Sequence, residues 1–274
     1  MKYSGLFLVF LCTFSFCQAQ YYYNDIITTQ QNNKQYMTLT INNTKQVSAK
    51  SFEANNEPTS DFLLEQKITN NNTQITTTTS YPSTGKTISV SLYNNNKIVK
   101  TTDSADNVKT TTTYTYNNKN IISTNTITED AFMANSSQET HQWQYENNVP
   151  VKMLLIKNST DTTIIEFIKD EQGNIAEEHW KKKGSTIEKF YYYYNNKRQL
   201  TDVVRFNIKA RRLLPDFLFE YNNDGTIAQF TQVPQGSDNY LVWKYLYLPN
   251  GLKDKEICFN KKKEKVGTIE YSYK

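Results

Sequence analysis

Tyr221-Asn222-Asn223-Asp224-Gly225-Thr226-Ile227 decides the kind of fold this chain can adopt. Asn and Asp close local side-chain hydrogen bonds, and Gly accepts positive φ, so the middle of the stretch is turn chemistry. The residues around it are aromatic and β-branched, which is strand chemistry. The stretch is the tip of a β-hairpin. A three-residue loop at Asn223-Asp224-Gly225 pairs Tyr221 with Ile227 and puts the glycine where such loops need φ > 0.

The same pattern recurs along the chain. Tyr116-Asn117-Asn118 and Tyr194-Asn195-Asn196 repeat it, with Ile122 and Leu200 six residues after each tyrosine. With the first position relaxed, copies start at Ile41, Thr69, Tyr93, Tyr116, Tyr145, Lys169, Tyr194, Tyr221 and Tyr247. The residues six further on are Val47, Ile75, Val99, Ile122, Val151, Ile175, Leu200, Ile227 and Lys253, of which only the last is not aliphatic. A further start, Tyr273, stands next to the last residue. Gly173 and Gly251 fall at the same loop position as Gly225, and Asn120 is tolerable there. Val149, followed by Pro150, is not, so the fifth unit is expected to turn differently.

A unit of about 26 residues holds two strands of roughly eight residues, a tight turn and a return connection. Nine units predict an all-β antiparallel meander of about eighteen strands. A sheet that wide is expected to twist into a curled or spiral sheet. Tight turns gather at one end. Varied connections, Tyr81–Gly85, Glu129–Ser137, Lys181–Ser185, Ile208–Asp216 and Val233–Asn239, lie at the other. No linker splits the chain, so residues 20–274 read as a single β-hairpin repeat domain.

Residues two apart in a strand share a face. Tyr116, Tyr145, Tyr194, Tyr221, Tyr247 and Tyr273 therefore line up with Tyr114, Trp143, Tyr192, Phe219, Tyr245 and Tyr271 as an aromatic ladder. Core packing is the expected role of this ladder, ahead of a ligand platform. The first units are weaker, and the runs Thr76–Thr79 and Thr110–Thr113 show no sidedness.

Composition agrees with this architecture and excludes much else. Tyr 20, Phe 14 and Trp 3 stand against Gly 8, Pro 6, Cys 3 and two His, with a formal charge of +4. Such a chain can bury a core. It lacks the basic excess of a nucleic-acid binder and the glycines of a phosphate-cradling loop. Two histidines without a cysteine cluster do not make a zinc site. No cofactor or metal is expected.

Met1-Lys2-Tyr3 and the apolar run Leu6–Phe16 read as a signal peptide, too short to span a membrane as a helix. Cys17-Gln18-Ala19 fits small residues before the cleavage point, so residues 1–19 are expected to leave and the mature chain to begin at Gln20. Acylation of Cys17, the lipoprotein alternative, fits poorly with Phe16 before it. The mature chain then keeps only Cys258, expected as a small buried apolar residue. The expected location is exported: periplasm, outer surface or extracellular.

At the level of motif the chain resembles the YD-repeat, or RHS-like, proteins, whose core reads Tyr-Asp-x-x-Gly-x-Leu/Ile. Asp170-Glu171-Gln172-Gly173-Asn174-Ile175 matches all but the tyrosine, and Tyr221–Ile227 matches with Asn for Asp. Tyr247-Leu248-Pro249-Asn250-Gly251 looks like the hairpin of MORN-variant repeats. The resemblance covers Ile41–Tyr273 as spacing but only the second half as motif. It implies an exported, strand-rich surface or secreted protein. The family's role as a shell around a toxin is not carried over, because nine degenerate units are few for a closed shell.

Three groups of residues could carry chemistry. Glu129-Asp130, Asp170-Glu171 and Glu177-Glu178 could serve a glycosidase, but strand neighbours point to opposite faces, so solvated turns and edges are the expectation. His179 is expected on the surface. Lys181–Lys183, Arg211-Arg212 and Lys261–Lys263 are expected as aggregation-blocking charges on edges. Arg211-Arg212-Leu213-Leu214 is the most pointed loop, the place to expect a ligand or partner contact. The expected function is a non-enzymatic exported binding or scaffold protein of the bacterial envelope, with a polysaccharide or an envelope protein as partner and no nucleic acid. The alternative is a carbohydrate-active protein, binding or cleaving glycans with strand carboxylates and tyrosines. An outer-membrane barrel is the third possibility; the Thr runs and a mean hydropathy of −0.70 argue against it.

Overall fold

The computed structural model describes residues 20–60, 62–81, 85–207, 211–234 and 239–274. The expected leader, 1–19, and parts of three connections, 82–84, 208–210 and 235–238, lie outside the described residues. A π-helical segment, Tyr22–Ile27, runs directly into α1 (Thr28–Ile41). The strands then follow: β1 (Gln46–Glu53), β2 (Leu63–Thr69), β3 (Gln74–Tyr81), β4 (Gly85–Asn94), β5 (Lys97–Ala105) and β6 (Val108–Asn117). Next come β7 (Asn120–Asp130), β8 (Asn135–Glu146), β9 (Val149–Lys157), β10 (Asp161–Lys169), β11 (Ile175–Lys182) and β12 (Ser185–Tyr194). The last are β13 (Leu200–Asn207), β14 (Arg212–Tyr221), β15 (Ile227–Gln232), β16 (Leu241–Tyr247), β17 (Lys253–Asn260) and β18 (Lys265–Tyr273).

Each strand pairs antiparallel with its sequence neighbours, and β1 pairs with β18 as well as β2. The meander of 18 strands is therefore a closed β-barrel. This corrects the curled or spiral sheet expected from sequence. Closure removes the two unpaired edges that an open meander would expose. It also removes the expected role of the lysine runs, since a barrel has no edge to protect.

The expected first unit is corrected too. Ile41 starts no hairpin; it is the last residue of α1 and fully exposed. The helix ends there in a glycine-free version of the left-handed cap. Asn43 takes φ 52°. Thr44 N–H bonds the carbonyl of Leu39, and Asn43 N–H that of Thr40, each at 3.0 Å.

Turn length separates the two halves. In the later hairpins Lys169, Tyr194, Tyr221 and Tyr247 face Ile175, Leu200, Ile227 and Lys253 as expected. Gly173, Gly225 and Gly251 take φ of 84, 83 and 82° there. In the earlier hairpins the register is one residue shorter. Tyr93, Tyr116 and Tyr145 face Ile98, Ile121 and Pro150, and Ile68 faces Ile75. Asn95-Asn96 and Asn147-Asn148 all have positive φ, which makes two-residue turns whose twist matches the strands. Asn118, not Asn120, carries the positive φ in the fourth unit. Bulges beside Tyr93, Tyr116 and Tyr145 take up the extra residue.

A barrel of this strand number is too wide for side chains alone to fill. Residues 20–41 fill it. Tyr22 packs on Phe167 and Tyr192, Tyr23 on Phe217 and Phe219, Tyr21 on Trp180, and Tyr36 stacks on Tyr93 at 3.8 Å between centroids. These partners lie on the inner faces of β4, β10, β11, β12 and β14, so the segment packs inside the barrel wall. A segment there has no strand to pair with, and a helix satisfies its own N–H and C=O groups. Met153, Ile165, Phe190, Val203, Trp243, Cys258 and Ile269 are fully buried around it. Each large side chain so placed stabilises the fold by roughly 1.5–3 kcal/mol.

The ladder tyrosines do more than pack. Tyr116, Tyr145, Tyr194, Tyr221, Tyr247 and Tyr273 donate their hydroxyls to the carbonyls of Ile98, Ile121, Ile175, Leu200, Ile227 and Lys253, at 2.6–3.0 Å. Each acceptor is the residue opposite the previous unit's first position. Every rung thus ties one hairpin tip to the next, which phenylalanine could not do.

Candidate functional site

The lumen holds two groups of charged side chains where the helix meets the wall. Glu178 of β11 is fully buried. It accepts from the N–H groups of Tyr21 and Tyr22 at 3.0 Å, from Trp180 Nε1 at 2.6 Å and from the Tyr192 hydroxyl at 2.6 Å. A carboxylate at a helix N-terminus satisfies orphan N–H groups and the positive end of the dipole. Burial nevertheless raises its pKa, against those hydrogen bonds. Glu177 points outward to His179 at 2.5 Å, so the pair splits across the sheet as alternation demands. The expected solvated role is corrected for Glu178: it is a helix anchor.

His141 of β8 lies between two carboxylates, Nδ1 at 2.6 Å from Asp25 and Nε2 at 2.9 Å from Glu139. Trp143 Nε1 donates to the same Asp25 oxygen at 3.1 Å, and Lys157 bridges Glu139 at 3.1 Å. Burial alone would lower the His141 pKa; Asp25 and Glu139 outweigh it and hold it up at about 9. Both ring nitrogens are engaged, so neither is left to move a substrate proton. The arrangement clamps the π-helical segment to the wall.

A cleft and a groove among the described residues open to solvent. One, a cleft of about 240 Å³, sits at the tight-turn end beside α1, lined by Gln30, Asn33, Lys97, Tyr116, Lys119, Tyr145, Asn148 and Pro150 among others. It borders the place where the ladder lacks a rung, because Lys169 stands where a tyrosine would reach the carbonyl of Pro150. The other is a shallow outer groove of about 390 Å³ with Asp170, Glu177, Tyr191, Tyr193, Asn195 and Asn196 in its walls. Its two carboxylates are committed elsewhere. Asp170 accepts from Gln172 N–H, Asn174 N–H and Asn174 Nδ2 at 2.9 Å, which lowers its pKa, the opposite of a general acid.

The expected contact loop lies on the outer face at the varied end. Arg211 has φ 52° in the β13–β14 turn, and Arg212 and Leu213 are exposed. Leu214 turns the other way, opposite the buried Arg205. Phe206, 52% exposed, stands directly opposite Leu213, and Ile187 of β12, 57% exposed, projects from the same end of the barrel wall. Lys189 is exposed between them and the groove tyrosines. No ion pair engages Lys189, Arg211 or Arg212 among the described residues, whereas Lys181 and Lys182 are paired with Glu166 and Asp161. The sequence reading missed Phe206: alternation from the inward Leu200 places it inward, and the register shift between Leu200 and Asp202 reverses that phase. Among the described residues no group of three or more His, Cys, Asp and Glu is arranged for a metal ion. Cys258 is buried, and burial pushes its thiol up to about 12.

No family model and no curated protein matches the chain. Solved structures do. A porin-like protein from Bacteroides uniformis aligns over 84% of this chain and 98% of its own, at 10% identity and a TM-score of 0.39. A TcdB2-TccC3-Cdc42 structure aligns over 78% of this chain and 12% of its own, at 13% identity and a TM-score of 0.32. A Photorhabdus luminescens Tc holotoxin pore aligns over 74% and 16%, at 8% identity and 0.22. Likenesses this distant assign neither kinship nor function.

Proposed function

We propose that the protein is an exported, non-enzymatic binding or scaffold barrel of the bacterial envelope, which meets its partner with the outer face of β12–β14. The observation that carries this reading is the filled lumen. Residues 20–41 and the ladder aromatics occupy the lumen, which turns attention to the outer face and the loops. A lipid-embedded barrel would need an apolar outward band. Here outward positions carry Glu166–Lys181, Glu177–His179 and Lys255–Glu270, which supports a water-exposed wall. The signal-peptide pattern and the YD-like turns with glycine at positive φ support export and kinship with the YD-repeat proteins.

Phe206, Leu213 and Ile187 rimmed by Lys189, Arg211 and Arg212 make an apolar patch with unneutralised cations. An exposed apolar patch rimmed by cations is complementary to an envelope protein with an acidic rim. Replacing Phe206 and Leu213 by Ser, and separately Arg211 and Arg212 by Glu, tests this. Both variants should lose retention on isolated envelopes while keeping wild-type melting temperatures. Full retention by both would refute the assignment. A second reading, glycan binding, draws on Tyr191 and Tyr193 in the outer groove. A glycan array with a Tyr193→Ala control separates the two.

A further inference from the structure

Gln20 is the first described residue and lies in the interior, 1% exposed. Its amide nitrogen donates to Asp216, and its amide oxygen has no partner. The next two backbone N–H groups both end on Glu178. Glu178 is buried among N–H and O–H donors, none of which is a cation. Asp216 has Arg205 at 2.9 Å, but Glu188 feels the same guanidinium. Glu178 thus has no cationic partner among these contacts, and Asp216 shares its guanidinium with Glu188, in a setting where unpaired charge is costly. Gln20 also holds φ at 72°, a region unfavourable for glutamine. That angle is defined across the peptide bond to Ala19.

One event would account for all of these features. We propose that cleavage between Ala19 and Gln20 leaves the α-amino group of Gln20 inside the barrel, as a buried cation facing Glu178 and Asp216. The proposal rests on the exported reading. Hydrolysis adds water across the Ala19–Gln20 bond; the carboxylate departs with Ala19, and the amine of Gln20 takes up a proton. The ammonium then stands one peptide before Tyr21, where the N–H groups of the helix start already converge on Glu178. The φ restraint disappears with the bond that defined it. N-terminal glutamine otherwise cyclises when its amine attacks the side-chain amide and expels ammonia. A protonated amine held by carboxylates, with the amide nitrogen on Asp216, does not take that course.

Two preparations test the proposal. Exported full-length chain, read by mass spectrometry, should begin at uncyclised Gln20. A retained leader or another first residue overturns the exported reading and the proposal with it. A leaderless chain released from a tag to begin at Gln20 is independent of export. Amine-selective acylation of its Gln20 should be at least about tenfold slower in the native protein than in urea. Equal rates overturn the proposal and leave the exported reading standing. Glu178→Gln removes the charge while keeping one acceptor oxygen for the helix start, and should speed native acylation of Gln20; an unchanged rate overturns the pairing with Glu178.

Discussion

Val47 and Tyr273 stand directly opposite each other across the seam where β1 meets β18. Val47 is the second half of a repeat whose first half became helix. Tyr273 holds the first position of a further repeat. The two fragments complete one another, and the Tyr273 hydroxyl adds the last rung by donating to the Lys253 carbonyl at 2.6 Å. Backbone bonds beyond it lock the seam: Lys274 N–H to the Gln46 carbonyl at 2.9 Å, and Gln46 N–H to the Lys274 carbonyl at 3.0 Å.

Truncation after Ile269 should open this seam. It removes backbone bonds worth about 1 kcal/mol each and exposes two edges able to pair with other chains. The expected outcome is a melting temperature well below wild type and oligomers on gel filtration. A monomer with unchanged melting would mean that the seam contributes little.

Removing a rung has a smaller, local cost. Tyr221→Phe should lose about 1 kcal/mol by stranding the Leu200 carbonyl, measured by urea denaturation. Lys169→Tyr should do the reverse, supplying the missing rung to Pro150 and narrowing the cleft beside it. Thermal melts that place both variants on the same side of wild type would contradict the ladder.

Turn chemistry gives a matched pair. Gly225 takes φ 83° and a Cβ there would meet the Gln199 side chain at 3.3 Å, so Gly225→Ala should cost about 1 kcal/mol. Arg198 occupies the equivalent loop position with φ 59°, and Arg198→Gly should be neutral or stabilising. Differential scanning calorimetry resolves shifts of this size, roughly 2–4 °C per kcal/mol.

The His141 clamp predicts a pH dependence. Its folded pKa is raised to about 9 from an ordinary 6.5, so its contribution is complete below pH 6.5 and is lost as pH rises through about 9. The full swing is on the order of 3 kcal/mol. Wild-type melting temperature should fall across that window, and His141→Gln should flatten the fall. A wild-type profile as flat as the variant's would show that Asp25 and Glu139 do not hold the proton.

Much of this molecule is legible in its sequence because its information is local. Asn-Asn and Asn-Asp-Gly specify turns by their own φ preferences, and alternation assigns Tyr192 inward and Tyr193 outward without reference to any other strand. Strand number, antiparallel order, the glycine positions and the inward ladder all follow from such local rules. The interior anchors do not. The roles of Glu178 and His141 are not legible locally, because their partners, Tyr21, Tyr22 and Asp25, lie more than a hundred residues away. Phe206 gains meaning only from the strand that brings Leu213 opposite it.

Closure, too, was decided in three dimensions. The repeat period sets each strand's neighbours, but whether the two ends of a meander meet depends on accumulated twist and on what fills the space between. In this chain the filler is residues 20–41, a helical segment within the span expected to be β-hairpin repeat throughout. Inside a lumen with no free edge to pair with, the helix satisfies its own backbone, and its tyrosines find the aromatic wall. The sequence determined the hairpins; the mutual fit of helix and wall made them a barrel.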